Sequence, residues 1–226
     1  MTICIVGSSG LTGGYVLQFA TKSILIDRIV LPLRKKLQTE FANVSQIIWD
    51  FNNAEQLKAI LAETDAIICC VGTTIKKAGS QDAFRKVDYH IPLILSSCAG
   101  PGTKTFVLLS SVGANKSSSN FYLRTKGEAE DAVIKHFKGR TIIARPSLLT
   151  GIRKEFRPAE RLSMILSPLF NPLLHGAFKR FRSIPAETVA KALLFSALAP
   201  DKSAQYLHYP ELIKASEDLD LLLKVK

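Results

Sequence analysis

An apolar run of four, Ile3-Cys4-Ile5-Val6, leads straight into Gly7-Ser8-Ser9-Gly10-Leu11-Thr12-Gly13-Gly14. Apolar residues at helical spacing follow at Val16, Leu17, Phe19 and Ala20. The run has the character of a buried strand, and the glycines let the backbone turn tightly and approach whatever lies above it. Strand, glycine turn and helix start, in that order, predict the phosphate-binding corner of a βαβ unit. Amide N–H groups and the positive end of the helix dipole hold an anion at such a corner. The spacing is Gly7-x-x-Gly10-x-x-Gly13, not Gly-x-Gly-x-x-Gly, and no Gly-Lys-Ser/Thr follows, so a Walker A loop is excluded. A glycine-rich surface turn competes as an interpretation of the triplet alone. The strand before it and the helix after it favour a dinucleotide site.

A chain of 226 residues suits one α/β domain with a full core, or one domain plus a small insertion. Hydrophobic residues make up 47% and charged residues 22%, which places the chain among globular proteins. No apolar run approaches the ~18 residues of a membrane span. With a strand expected from residue 2, no signal or transit peptide is expected. Cys4, Cys69, Cys70 and Cys98 show no C-x-x-C spacing, and three of them sit in apolar runs. That pattern fits buried free thiols in a reducing compartment, and the expectation is a cytoplasmic protein. Thirty Lys/Arg against nineteen Asp/Glu give a formal net charge of +11. The excess favours an anionic partner, whether a phosphorylated cofactor, an acidic substrate, nucleic acid or a membrane surface, without choosing among them. The four histidines are scattered without ligand spacing, so no metal site is expected.

Asp27–Leu33 reads as a second strand ending in Arg34-Lys35-Lys36. In a dinucleotide fold this end meets the adenosine ribose, where an acid accepts from the 2′-hydroxyl and a base pairs with a 2′-phosphate. Three bases and no acid point to NADP(H) over NAD(H), although a solvated charge run at a strand end is the plain alternative. Val44–Phe51 reads as the third strand, with Asn52-Asn53 capping a helix over Ala54–Glu63. Asp65–Val71 has the continuous apolar character of a strand buried on both faces, and it breaks at Gly72-Thr73-Thr74. Gln81–Ala99 reads as a long helical stretch that starts or kinks a segment at Pro92. Lys104–Leu109 is a fifth strand, Phe121–Phe137 a helix, Arg140–Pro146 a sixth strand and Glu187–Leu198 an amphipathic helix. The alternation predicts an α/β fold with a doubly wound parallel sheet, a Rossmann fold, as one domain over 1–226. Residues 151–183, rich in proline, arginine and phenylalanine, are expected to form a small substrate-side lobe or lid over the carboxyl edge of the sheet. A basic, apolar contact surface and a plain basic exterior are the alternatives for this segment.

Tyr122-Leu-Arg-Thr-Lys126 opens the helix after strand five, and Ser110-Ser111 end that strand. A spacing of four places Tyr122 and Lys126 on one helix face, a turn apart. A phenol titrates near ~10, too high for efficient proton transfer at neutral pH, and a nearby ammonium favours the phenolate. A serine hydroxyl beside it can hydrogen-bond a substrate carbonyl. Tyr122 is therefore the candidate acid/base, Lys126 the activating and ribose-holding group, and Ser111 or Ser110 the polariser. The Tyr-x-x-x-Lys spacing is common by chance; its place after strand five of a glycine-loop α/β pattern gives it weight.

Gly7-x-x-Gly10-x-x-Gly13, Ser110-Ser111 and Tyr122-x-x-x-Lys126 together resemble the short-chain dehydrogenase/reductase superfamily in its extended or atypical, NmrA-like branch. Cys69–Gly79, Leu108–Ser118, Tyr122–Glu128, Ala144–Leu149 and Arg157-Pro158 are similar, more narrowly, to the Tat-interacting protein (oxidoreductase) branch. The likeness covers residue 2 to about residue 200. It implies that Ser9, Gly10, Leu11 and Thr12 meet the pyrophosphate and that Arg34 and Lys35 meet the 2′-phosphate. It further implies that Val71 and Gly72 flank the adenosine side, that Tyr122 and Lys126 are the active-site pair, and that Leu149 and Arg157 lie beside the nicotinamide half. The chain departs from the wider superfamily at Lys86-Val87-Asp88, where many active members carry an asparagine; a carboxylate cannot donate as that amide does.

The sequence thus supports an NADP(H)-dependent oxidoreductase that transfers hydride to or from a carbonyl/alcohol substrate. The alternative is an NADP(H)-binding, redox-sensing regulatory module that acts through a protein partner with little catalysis; Asp88 and the basic lobe motivate it. A nucleic-acid or membrane binder is disfavoured, since no nucleic-acid motif is present and basic residues interleave with aromatics only within the lobe.

Overall fold

Strand residues alternate between two apolar layers, and that alternation sets the architecture. Ile3 and Ile5 face one side of the sheet with Ile29, Leu31, Ile68 and Val107, while Cys4 and Val6 face the other with Ile67, Cys69, Phe106 and Leu108. A strand covered on both faces needs no polar alternation, so these runs read as continuously apolar. The computed structural model describes residues 1–38, 41–151, 175–203 and 205–224. Its main sheet contains β1 (Thr2–Val6), β2 (Arg28–Leu33), β3 (Val44–Ile48), β4 (Ala66–Cys69), β5 (Thr105–Leu109), β6 (Arg140–Ala144) and β9 (Tyr206–Leu207). All are parallel, in the order β3-β2-β1-β4-β5-β6-β9. The order reverses between β1 and β4, which opens a crevice at their carboxyl ends.

On one face pack α1 (Leu11–Ala20), α7 (Ala186–Leu198) and α8 (Tyr209–Lys224); on the other pack α2 (Ala54–Leu61), α5 (Ile91–Cys98) and α6 (Phe121–His136). Asn53 caps α2 by accepting from the Gln56 amide, and Asn120 caps α6 by accepting from the Leu123 amide. The stretch 81–99 is three pieces rather than one helix: α4 (Gln81–Arg85), a π-helical turn (Lys86–His90) and α5. Pro92 has no N–H to return to the Asp88 carbonyl, which accounts for the widened turn just before it. The short α3 (Ile75–Ala78) follows the β4 loop. The strand β9 and the helix α8 extend the fold beyond the six strands expected. With only two residues, β9 carries no periodicity to detect, and it is placed by pairing with Ile143 and Ala144.

Much of the expected lobe lies outside the described residues, as does Arg157. Its roots are described. β7 (Leu149–Thr150) pairs in parallel with β8 (Ile184–Pro185), and the Ser147 hydroxyl donates to the Arg182 carbonyl. The chain therefore leaves and returns at one point on the carboxyl edge. No helix of the described residues is long and apolar enough to cross a membrane.

Candidate functional site

The glycine corner is built by close backbone approach. Gly7 has φ +90°, and a Cβ there would lie 2.8 Å from the Cys70 carbonyl carbon. A Cβ on Gly13 would lie 2.2 Å from the Gly7 carbonyl oxygen. These two glycines bring the ends of β1 and β4 and the first turn of α1 together. The first helical bond of α1 runs from the Gly14 amide to the Gly10 carbonyl at 2.8 Å, so the amides of Leu11, Thr12 and Gly13 precede it without helical partners. Gly10 offers no side-chain cap, and the buried Ser8 hydroxyl has no partner among the described residues. Ser9 is exposed beside them. Unsatisfied donors around a helix N-terminus fit a pyrophosphate.

Arg34, Lys35 and Lys36 are exposed immediately after β2 and form no ion pair among the described residues. The neighbouring turn after β3 is held by Asp50, whose carboxylate accepts from the Asn52 and Asn53 amides at 2.8 and 2.9 Å. Those two bonds hold its titration below the ordinary aspartate value. Phe51 takes φ +68° there, and its ring stacks 4.4 Å from that of the buried Trp49. On the other side of the crevice, Val71 is buried and Gly72 is exposed at the end of β4.

Tyr122 and Lys126 lie one turn apart on α6, as the spacing requires. Lys126 is almost fully buried, with Nζ 2.8 Å from Asp88 Oδ1. Burial alone would push this ammonium down; Asp88, aided by Tyr122, outweighs it and holds the lysine above its ordinary value. Asp88 Oδ2 also accepts from the Thr73 amide at 2.9 Å. The Tyr122 ring packs 5.8 Å from that of the buried Phe84.

The two serines part company. Ser110 is buried, and its hydroxyl donates to Glu130, which Arg145 grips through Nε at 3.0 Å and through Nη2. Arg145 in turn lies 4.5 Å over the Tyr206 ring. Ser110 is thus committed to an internal network. Ser111 is half-buried, and among the described residues its hydroxyl makes only a 3.3 Å contact with the Val112 carbonyl. Glu130 was open to discovery from the sequence, since it sits one turn beyond Lys126 on the same helix face. The Asp88 contact was not, because a π turn breaks helical arithmetic. Leu149 is half-buried at the root of the lobe, and a Cβ on Gly151, two residues on, would lie 3.3 Å from Leu11 Cδ2, so this root borders the glycine corner. Cys4 and Cys69 are buried free thiols, and burial pushes Cys69 up to about 12, which keeps it protonated.

A reversed-order parallel sheet with a donor-rich glycine corner at its switch point defines a dinucleotide-binding α/β protein. Residues 7–160 match the NAD(P)H-binding family, and the chain belongs to that family. It is 34% identical over 224 residues to Protein FMP52, mitochondrial, of Meyerozyma guilliermondii, covering 96% of this chain and 92% of that one. It is 35% identical over 203 residues to Protein HTATIP2 of Rattus norvegicus, covering 88% and 82%. The human epimerase family protein SDR39U1, solved with NADPH, superposes with a TM-score of 0.62 at 16% identity, over 91% of this chain and 72% of that one. That likeness is one of fold. The HTATIP2 match bears out the resemblance drawn from the Cys69–Gly79 and Leu108–Ser118 blocks.

The expectation of a cytoplasmic protein is overturned, because the FMP52 relatives are named mitochondrial. Both premises were too weak to fix a compartment. Reduced thiols exclude oxidising compartments only, and the position of a first strand describes the fold rather than its address.

Proposed function

We propose that this chain is an NADP(H)-dependent oxidoreductase of the short-chain dehydrogenase/reductase type, acting on a carbonyl/alcohol pair. The observation that carries the reading is the buried, charged Lys126 one turn from Tyr122, beside the glycine corner's crevice. In this reading Ser9, Gly10, Leu11 and Thr12 bind the pyrophosphate against Gly7 and Gly13, and Arg34 and Lys35 pair with the 2′-phosphate. Val71 and Gly72 flank the adenosine. Leu149, with Arg157 outside the described residues, borders the nicotinamide half. When bound, the nicotinamide supplies or accepts hydride. Lys126 holds the adjoining ribose, and Tyr122 moves the proton at its phenolic oxygen. Ser111 hydrogen-bonds the substrate oxygen, because Ser110 is already engaged by Glu130. Residues 151–183 form the substrate-side lobe of a single domain, anchored where β7 meets β8.

Calorimetric titration of nucleotide-stripped protein with NADPH and NADH tests the cofactor half. Tight NADPH and weak NADH binding is expected, with Arg34→Ala/Lys35→Ala raising the NADPH Kd at least about tenfold and leaving NADH unchanged. Equal affinities would remove the 2′-phosphate role. Tyr122→Phe is expected to retain NADPH binding and lose roughly 10²–10⁴-fold in turnover. Unchanged turnover would refute the acid/base assignment, and NADPH binding with no carbonyl turned over would favour the regulatory module.

A further inference from the structure

The segment from α4 through the π turn reaches α6 at three successive points. The Phe84 ring lies 5.7 Å from that of Phe121 and 5.8 Å from that of Tyr122, Arg85 pairs with Glu128, and Asp88 pairs with Lys126. The third contact differs in kind, for both charges are out of water. The Asp88 side chain is fully buried, with one oxygen on the Thr73 amide and the other facing Nζ. Gly72 closes over the pair: a Cβ there would lie 3.5 Å from Asp88 Oδ1 and 3.8 Å from Lys126 Nζ.

Resting on the reading of Lys126 as the cofactor-side lysine, we infer that Asp88 is a positioning residue that keeps the buried Lys126 ammonium charged and ties it to the β4 loop through the Thr73 amide. Other groups facing Lys126 do not replace it. Cys69, at the end of β4, and Cys70, just after it, are thiols that burial keeps protonated, and Tyr122 stands one turn earlier on α6. A buried ammonium without a carboxylate loses its proton readily, as buried lysines do in apolar sites. An amide at position 88 would preserve the shape and the acceptor for Thr73 but not the charge. The carboxylate therefore does something the amide cannot.

The test is NADPH affinity between about pH 7 and about pH 9 for the wild type, Asp88→Asn, Lys126→Met and the double variant. Wild-type affinity is expected to change less than about twofold. Asp88→Asn is expected to weaken at least about tenfold across the range, because binding by a charged lysine falls up to tenfold per pH unit above its pKa. This slope should vanish in the Lys126→Met background. A flat Asp88→Asn profile at wild-type affinity overturns the inference. So does a pH-independent loss that persists without Lys126, which would leave Thr73 as the whole effect. Absence of NADPH binding in the wild type would refute the proposed function instead, and thermal unfolding of wild type and Asp88→Asn then reads the ion pair. A lysine that is neutral when folded and protonated when unfolded makes stability rise with pH, so the Tm deficit of Asp88→Asn should narrow toward pH 9. A constant deficit overturns the charge-holding role.

Discussion

Gly13 and Gly14 are adjacent residues of one helix, and alanine is expected to act with opposite sign at the two. A Cβ at Gly13 would meet the Gly7 carbonyl oxygen at 2.2 Å and its carbon at 2.7 Å. Both are backbone atoms that no rotamer change can move aside. The shortfall from a 3.4 Å contact is about 1.2 Å, so the helix start must shift off the loop by roughly that distance. Overpacking of this kind costs about 1–3 kcal/mol, while alanine over glycine in a helix returns about 1 kcal/mol. The net expectation for Gly13→Ala is a loss of up to about 2 kcal/mol, which at about 2–4 °C per kcal/mol is up to about 8 °C in Tm for a chain of this size. At Gly14 a Cβ meets, among the described residues, only the Ser8 carbonyl oxygen, at an ordinary 3.5 Å. Gly14→Ala is therefore expected to gain up to about 1 kcal/mol. Differential scanning fluorimetry and NADPH titration on both variants give the comparison. Gly13→Ala should also lose NADPH affinity, because the displaced amides of Leu11–Gly13 no longer converge, and Gly14→Ala should keep it. Shifts of the same sign, or unchanged NADPH binding by Gly13→Ala, would refute the close-approach account of the corner.

Gly127→Ala would place a Cβ 2.3 Å from the Asn115 carbonyl carbon and the Lys116 nitrogen, forcing α6 off that loop. A loss of about 1–3 kcal/mol in urea unfolding is expected, and neutrality would show that the loop yields freely. Glu130→Ala strands Arg145 and frees Ser110; because Arg145 keeps some water contact, the expected loss is about 2–3 kcal/mol, below the roughly 3–5 of a fully buried pair. A chemical-denaturation midpoint unchanged by Glu130→Ala would dismiss the network. Asp50 titrates lower in the folded chain than in the unfolded one, so the stability it adds is present above about pH 4 and is lost as pH falls through the folded value. The Tm advantage of wild type over Asp50→Asn should accordingly close under acid, and a gap that persists at acid pH would contradict the amide–carboxylate account.

The candidate site was legible in the sequence wherever local chemistry suffices. Gly7, Gly10 and Gly13 announce a turn whose donors face outward, and Tyr122 and Lys126 share a face because four residues make about one helical turn. The basic run Arg34-Lys35-Lys36 lies exposed at the end of β2, as its place after the apolar run requires. Legibility stopped at contacts between distant elements. Asp88 precedes Lys126 by 38 residues, and it meets the lysine from within the widened turn before Pro92. Ser110 and Ser111 looked equivalent in the sequence, and the Glu130 carboxylate on α6 distinguished them.

The amino-acid sequence by itself determined the parallel α/β sheet, the glycine corner and the pairing of Tyr122 with Lys126. Each follows from periodicity or backbone freedom within a few residues. The tertiary structure alone decided the seventh strand, the different bonding of the two serines and the partner of Lys126. A two-residue strand has no pattern of its own, and a buried charge acquires its partner only when separate elements close over it.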